Sequence, residues 1–184
     1  PFLQAECNML LERHIKEGFL IPASNIREVA SKSDVLVLLV HATINKNKKP
    51  DYSSIEKACK EVGMNLRSGC LVIVASMMGL GITESLVKQT LENASGLKAG
   101  VDFGLAYSPA NIASRPLLED LASFPRVVSG IDKRSLQSAY LILKTIINGE
   151  IVKMENIRAA EAVKLFEDAY QNVSIALVLS LIHI

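Results

Sequence analysis

The sequence predicts an α/β fold, in which a Rossmann-like parallel sheet is followed by one long helix. Segments of strand-like composition alternate with segments of helical period, and this alternation is typical of βαβ units around a parallel sheet. From Asn156 to the last residue there is neither Gly nor Pro to break a helix. We therefore expect a partial α/β domain at residues 1–150 and the start of a second, all-helical domain at residues 151–184.

Composition and charge exclude several classes of protein. Of the 184 residues, 49% are hydrophobic and 21% are charged, which is the range of soluble globular proteins. Lys and Arg number 20 against 19 Asp and Glu, so a net charge of +1 gives no reason to expect a nucleic acid as partner. Cys7, Cys59 and Cys70 form no C-x-x-C pair, so the sequence predicts core thiols in a reducing cytoplasm rather than disulfides or a metal site.

The first part of the chain contains a helix, a strand and a second helix by this pattern. Leu10–Gly18 is typical of a helix that ends at a glycine. Val35–Val40 is apolar at every position, so we expect a central strand that is covered on both faces. Ser53 and Glu56 have the spacing of a capping box, which predicts a helix that Ser53 caps and that runs to about Val62.

A second strand, Leu71–Val74, leads into the turn Gly79-Leu80-Gly81 and then into a helix that Thr83 can cap. Residue 84 is Glu rather than a third glycine, so we interpret the turn as a strand-to-helix connection and not as a phosphate-binding loop. The next strands and helix are expected at Phe103–Tyr107, Arg126–Val128, Lys133–Ile147 and, as a short edge strand, Glu150–Met154.

The long helix from about Asn156 has apolar residues three or four apart, which predicts one buried stripe. The stripe consists of Val163, Phe166, Tyr170, Val173 and Leu177. Because so long a helix usually bridges domains or subunits, we expect self-association through it. The longest apolar stretch, Val173–Ile184, is shorter than the about 20 residues that span a bilayer, so we expect core or interface here and no membrane partner.

Several segments together resemble the UDP-glucose/GDP-mannose dehydrogenase family, in the branch that oxidises UDP-N-acetylmannosamine. The similar segments are Ser33–Val40, Lys49–Ser53, Leu71–Ser76 with Gly81-Ile82-Thr83, Gly96–Phe103, Leu105–Pro109 and Ile157–Glu167. Their order along the chain, rather than any one motif, carries the resemblance, which runs from about residue 10 to 178.

The resemblance implies an NAD-binding domain followed by a helical domain that dimerises two subunits. The family oxidises the C6 alcohol of a UDP-sugar to a carboxylate with two NAD. The glycine-rich pyrophosphate turn, with the first strand-helix-strand unit, is then expected before Pro1, and the family's catalytic cysteine after Ile184. We therefore expect this chain alone to be inactive, and residues 179–184 resemble translated vector sequence.

Lys164 and Asp168 are the catalytic residues that the resemblance implies. A fixed ammonium at Lys164 would stabilise the oxyanion that develops at the reacting sugar carbon. Asp168 stands where the family usually has an asparagine, and its negative charge would weaken that effect. The alternative is a solvated lysine paired with Asp168 or with Glu161.

The resemblance also implies contacts to the two ligands. Tyr107, Asn111 and Ile112 would bind the substrate, and Val40 and Ser76 would bind NAD. His41, at the end of the predicted central strand, is either an acid or base or a packed histidine.

Among the residues that depart from the family pattern are Met77, Ala110, Ser114 and Asp168. They favour a second hypothesis, a catalytically decayed paralogue that acts as a dimer-forming or nucleotide-sugar-binding module. A third hypothesis is another long-helix dehydrogenase, of the 6-phosphogluconate or hydroxyisobutyrate type.

Overall fold

The computed structural model describes residues 2–40, 42–45, 47–110 and 122–182. The strands are β1 (Val35–Leu38), β2 (Thr43–Ile44), β3 (Pro50–Asp51), β4 (Leu71–Val74), β5 (Gly104–Tyr107), β6 (Arg126–Gly130) and β7 (Ile151–Met154). The helices are α1 (Phe2–Lys16), α2 (Ile26–Lys32), α3 (Ser53–Gly63), α4 (Gln89–Ser95), which a π-helical stretch Thr83–Lys88 precedes, α5 (Lys133–Lys144) and α6 (Ile157–Ile182).

Five strands form one sheet in the order β1-β4-β5-β6-β7, and β2 pairs with β3 in a separate ribbon. β1, β4 and β5 are parallel, which confirms the Rossmann-like prediction. The sheet is mostly but not wholly parallel, because β6 runs antiparallel to β5, and β7 runs parallel to β6. The chain leaves β5 and enters β6 at the same edge of the sheet, so this connection involves no crossover.

β1 is an edge strand in this sheet, so the prediction that it is central is wrong. Leu36 and Leu38 face the core, whereas Val37, on the opposite face, is 60% exposed. A run that is apolar at every position can be buried on both faces only where other elements cover both. In the described residues this second face of β1 is covered only in part, at Val35, which packs against the core on that side of the sheet.

The sheet carries a hydrophobic core on each face. On one face, Leu36, Val72 and Leu105 pack with α3, α4 and the first turns of α6. On the other face, Ile73 and Val128 pack against α5. The first turns of α6 thus lie on the same face of the sheet as α3 and α4.

Two helices begin differently from the sequence prediction. Ser53 is the first residue of α3 and not its cap, because the Asp51 side chain accepts a hydrogen bond from the Ser53 amide at 2.9 Å. Thr83 does not cap the helix that follows β4, since its hydroxyl is buried and has no hydrogen-bond partner in the described part of the chain. The Thr83 amide donates instead to the carboxylate of Glu161, at 2.9 Å.

α6 begins where the sequence predicts, because the Asn156 side chain accepts a hydrogen bond from the Arg158 amide at 2.8 Å. The chain itself does not cover the apolar stripe: Val163, Phe166, Tyr170, Val173 and Leu177 are between 41% and 78% exposed, so its burial against another subunit stays a prediction. The buried face consists of Ile157, Ala160, Glu161 and Lys164. The sheet covers only about the first two turns of the helix.

By length and composition alone, α6 is apolar enough to cross a membrane. The apolar window that meets this criterion is not buried in the described residues; only the first turns of α6 are packed on the sheet.

Candidate functional site

A cleft of about 240 Å³ lies at the carboxyl ends of β1 and β4, where ligands of parallel sheets bind. Four of the residues that the sequence predicts for the site line it together: Val40, Ser76, Lys164 and Asp168. Leu39, Ala42, Ala75, Met77 and Ala110 complete the wall. Lys164 therefore reaches this edge from α6, more than 120 residues along the chain from β1.

The floor of the cleft is fixed by a hydrogen-bonded serine. The Ser76 hydroxyl accepts a hydrogen bond from the Val40 amide at 2.7 Å and donates one to the Leu38 carbonyl at 3.3 Å. This hydroxyl ties the end of β1 to the segment after β4, so the two strand ends keep a fixed spacing. Met77, next in the chain, is half exposed at the mouth of the cleft.

Lys164 is both positioned in the cleft and paired. Only 8% of the residue is exposed, and its ammonium donates to Asp168 Oδ1 at 2.6 Å and to Glu167 Oε2 at 3.3 Å. Of the alternative interpretation, the pairing with Asp168 is present, but the lysine is buried rather than solvated, and Glu161 bonds to backbone amides instead. Both carboxylates lower the positive potential that Lys164 offers to an anion.

On its other side Lys164 borders a second, smaller cleft, of about 160 Å³, which Pro109, Arg126 and Glu167 also line. Burial lowers the pKa of the Arg126 guanidinium because the charged form is less well solvated there. Sequence reasoning missed Arg126, which lies in a predicted strand. A charged residue that opens an apolar strand was the available signal.

Tyr107 ends β5 and lies fully buried beneath α6. Burial raises the pKa of its hydroxyl, the Met78 backbone partly offsets this, and the Glu161 and Asp168 carboxylates raise it further. That hydroxyl has no hydrogen bond of ordinary geometry within the described residues. The substrate contact of Tyr107 stays a prediction. Asn111, Ile112, Ser114 and His41 lie outside the described residues.

The turn Gly79-Leu80-Gly81 offers no place for a phosphate. The Gly79 amide donates to the Tyr52 hydroxyl at 3.1 Å, and the Gly81 amide donates to the Glu161 carboxylate. Both amides are therefore used, and a carboxylate beside them repels an anion. This agrees with the interpretation of the turn as a strand-to-helix connection.

Two of the three cysteines are core residues. Burial, together with the Glu56 carboxylate, raises the pKa of the Cys59 thiol to about 12, and burial also raises that of Cys70. Neither thiol is then a nucleophile near neutral pH. Among the described residues, no group of three or more His, Cys, Asp or Glu has the arrangement of a metal site.

Comparison with known proteins assigns the chain to one family. Residues 1–147 match the model of the UDP-glucose/GDP-mannose dehydrogenase family, NAD binding domain. The UDP-N-acetyl-D-mannosamine dehydrogenase of Pyrococcus horikoshii is 29% identical over 171 residues, covering 91% of this chain and 40% of that protein. The chain thus spans about 40% of the length of the curated relatives that it resembles.

Solved structures agree with this match. The structure of UDP-D-ManNAc dehydrogenase from Pyrococcus horikoshii has a TM-score of 0.76 at 30% identity, over 82% of this chain and 35% of that chain. GDP-mannose dehydrogenase from Pseudomonas aeruginosa has a TM-score of 0.85 at 24% identity, over 92% of this chain and 39% of that chain, and this likeness concerns the fold.

Proposed function

The chain belongs to the UDP-glucose/GDP-mannose dehydrogenase family and carries its NAD-binding domain, and from this premise we propose that it is part of a UDP-sugar 6-dehydrogenase. The reaction is the oxidation of the C6 alcohol of a UDP-sugar to a carboxylate with two NAD. UDP-N-acetylmannosamine is the substrate we favour, because relatives with that name are among those most similar to the chain.

One observation carries this proposal: the Lys164 ammonium lies in the cleft at the carboxyl ends of β1 and β4, beside the segment that follows Tyr107. Hydride transfer from an alcohol requires that its oxygen also give up its proton to water or a base. An ammonium fixed nearby stabilises the negative charge that develops on the oxygen as that proton leaves. Because Lys164 is nearly buried, its interaction with the oxygen is screened less by water than that of a surface lysine.

The cleft fits one end of NAD. Its volume of about 240 Å³ is below the roughly 300–1,000 Å³ of a pocket that encloses a whole ligand, so it has room for the nicotinamide end only. Val40 and Ser76 would hold that end, and bound NAD would accept the hydride. The Gly79 and Gly81 amides of the turn already donate to Tyr52 and Glu161, so the pyrophosphate requires another part of the protein.

The Lys164–Asp168 ion pair supports a second candidate, a catalytically decayed paralogue that binds nucleotide sugars or forms dimers. Asp168 would repel a developing oxyanion, and Met77 and Ala110 give the cleft wall no hydroxyl or carboxylate to manage a proton. In this case the cleft would bind ligands without turnover.

Turnover separates the two candidates. In the longest protein that contains this chain, a UDP-sugar 6-dehydrogenase should reduce NAD with UDP-N-acetylmannosamine, as followed by NADH absorbance. Lys164→Ala should lower kcat by about a hundredfold, whereas Lys153→Ala, which removes an exposed ammonium stacked on Tyr140, should not. Binding of the UDP-sugar in calorimetry with no NADH formed would favour the decayed paralogue. The 184-residue chain alone should show no turnover.

The exposed second half of α6 supports a homodimer formed through this helix, since an apolar surface of this kind is normally covered. The buried free thiols of Cys59 and Cys70 and a net charge of only +1 fit a cytoplasmic enzyme of polysaccharide precursor synthesis that does not bind nucleic acid. Light scattering at micromolar concentration tests the dimer, and a monodisperse monomer would count against it.

A further inference from the structure

Glu161 is the charged residue buried most deeply at the contact between α6 and the rest of the molecule. None of its surface is exposed. One carboxylate oxygen accepts a hydrogen bond from the Gly81 amide, and the other accepts one from the Thr83 amide at 2.9 Å. The carboxylate therefore joins α6 to the turn after β4, about 80 residues away in the sequence.

Burial of a carboxylate is costly unless hydrogen bonds replace its water. Here the two amides lie at the N-terminus of the helical stretch that starts at Thr83, one in its first residue and the other in Gly81 just before it, where the partial positive charge of a helix favours an anion. Glu161 thus satisfies amides that Thr83 leaves unsatisfied, and the two amides satisfy Glu161.

The apolar contacts of α6 do not define its position in the same way. Ile157 and Ala160 pack into the core cluster beside Tyr107, but apolar contact is not directional and tolerates small slides and rotations. A pair of hydrogen bonds to one carboxylate is directional and does not tolerate such movements. Glu161 is therefore the contact that fixes both the rotation and the axial position of the helix.

Lys164 depends on that position. It follows Glu161 by three residues, so the two side chains are neighbours on one face of the helix. A shift of one residue in register would rotate the helix by about 100° and move it by about 1.5 Å along its axis. Lys164 would then no longer face the cleft that it lines with Val40 and Ser76.

We propose that Glu161 is a positioning residue, whose carboxylate holds the turn after β4 and thereby aims the Lys164 ammonium into the cleft. The consequence for catalysis depends on the proposed function of Lys164. The geometric claim can be measured without any substrate.

Reductive methylation of the native chain, read for each lysine by mass spectrometry, tests that claim. The Lys164 side chain is 10% exposed and that of Lys98 is 70% exposed, so Lys164 should react slowly and Lys98 fast. Glu161→Ala should raise the Lys164 rate by about fivefold relative to Lys98, because α6 loses its anchor. Glu161→Gln, which keeps one acceptor oxygen, should give a smaller increase.

Two controls separate positioning from general loss of stability. Glu84→Gln removes an exposed ion pair, with Arg158, that joins the same two elements, and it should leave the Lys164 rate unchanged. Val128→Ala destabilises the core on the opposite face of the sheet and should also leave it unchanged. The proposal is overturned by an unchanged Lys164 rate in both Glu161 variants, or by an equal increase in Val128→Ala. If Glu161→Ala does not fold, Glu161→Gln decides.

The same variants distinguish this inference from the proposed function. In the protein that turns over UDP-sugars, Glu161→Gln should affect kcat more than KM. The control variant Glu84→Gln should keep the wild-type rate. Altered Lys164 labelling with turnover insensitive to Lys164→Ala would reject the catalytic role and retain the positioning role. Unaltered labelling with turnover sensitive to Lys164→Ala would reject the positioning role alone.

Discussion

Two helices start near the carboxyl edge of the sheet, and their first turns are satisfied in opposite ways. At α3, the exposed Asp51 accepts a hydrogen bond from Ser53, two residues away. At the helical stretch that starts at Thr83, the buried Glu161 accepts hydrogen bonds from Gly81 and Thr83 across about 80 residues. The first contact defines a local turn, whereas the second connects two layers of the fold.

The difference shows what a helix cap contributes beyond its hydrogen bonds. An exposed cap next to its helix competes with water and stabilises only the local turn. A buried cap from another element can be replaced by water only if the two elements separate. Its contribution therefore belongs to the packing of α6 rather than to the helix that it caps.

Removing the distant cap should have the largest effect. We expect Glu161→Ala to lower the free energy of unfolding by about 3 kcal/mol, because the Gly81 and Thr83 amides are left buried without partners. Urea denaturation followed by circular dichroism measures this. Asp51→Ala is the matched control and should cost far less. Equal losses in the two variants would remove the distinction between local and distant caps.

α3 should depend on its buried face rather than on its cap. The unfolded chain loses the Cys59 proton near pH 9.0 and the folded chain only near pH 12. The folded pKa is raised, so the stability from this thiol is present below pH 9 and is lost as the pH rises toward 12. We expect the free energy of unfolding to fall by about 1.4 kcal/mol per pH unit in this window from Cys59 alone.

The control for that slope is Cys59→Ala, in which the other alkaline titrations remain. Urea melts at pH 9.5 and 10.5 should show a shallower decline in the variant than in the wild type. Parallel declines would mean that Cys59 is not the buried acid on the inner face of α3.

Thr83→Val should have a smaller effect and the opposite sign. The Thr83 hydroxyl is buried without a hydrogen-bond partner in the described part of the chain, so a methyl group of similar shape should be neutral or stabilise by up to about 1 kcal/mol. Thermal denaturation compares the variant with the wild type, with Thr145→Val, an exposed hydroxyl that donates to the Ile142 carbonyl, as control. A clear loss of thermal stability in Thr83→Val would indicate that the hydroxyl does cap the helix.

The smallest effect concerns Asp51. Its hydrogen bond from Ser53 lowers its pKa below the usual value of 3.8, so its charge stabilises the fold above that value, and this contribution is lost as the pH falls through the lowered pKa. Asn can also cap a helix but carries no charge. We expect a slight advantage of the wild type over Asp51→Asn at pH 6 that disappears near about pH 2. A melting-temperature difference independent of pH would contradict this.

The fold could be predicted from the sequence where the pattern is local. The apolar run at Leu71–Val74 and the unbroken stretch after Asn156 give a buried strand and a long helix. The reversal of β6 could not be predicted, because strand direction depends on how the chain returns to the sheet. Nor could the exposure of Val37, since an apolar residue is buried only where another element covers it.

The site was predictable to a similar extent. The resemblance brought Val40, Ser76, Lys164 and Asp168 to one cleft, as the structure has them. The interaction of Glu161 with Gly81 was not predictable, because a helix of known sequence can face its neighbour in many rotations. A signal was nevertheless present, since Glu161 falls one residue after Ala160 on the face that also carries Ile157 and Lys164.

The reversal of the last two strands has a consequence for how the chain reaches its cleft. Because β7 runs away from the ligand-binding edge, α6 runs back toward it. Lys164, in the second turn of α6, therefore lies at that edge. With β6 and β7 co-directional with β5, α6 would set out from that edge and lead downward, away from the ligand. The antiparallel pairing of β5 with β6 therefore places Lys164 at the ligand-binding edge without a further crossover of a dozen or so residues.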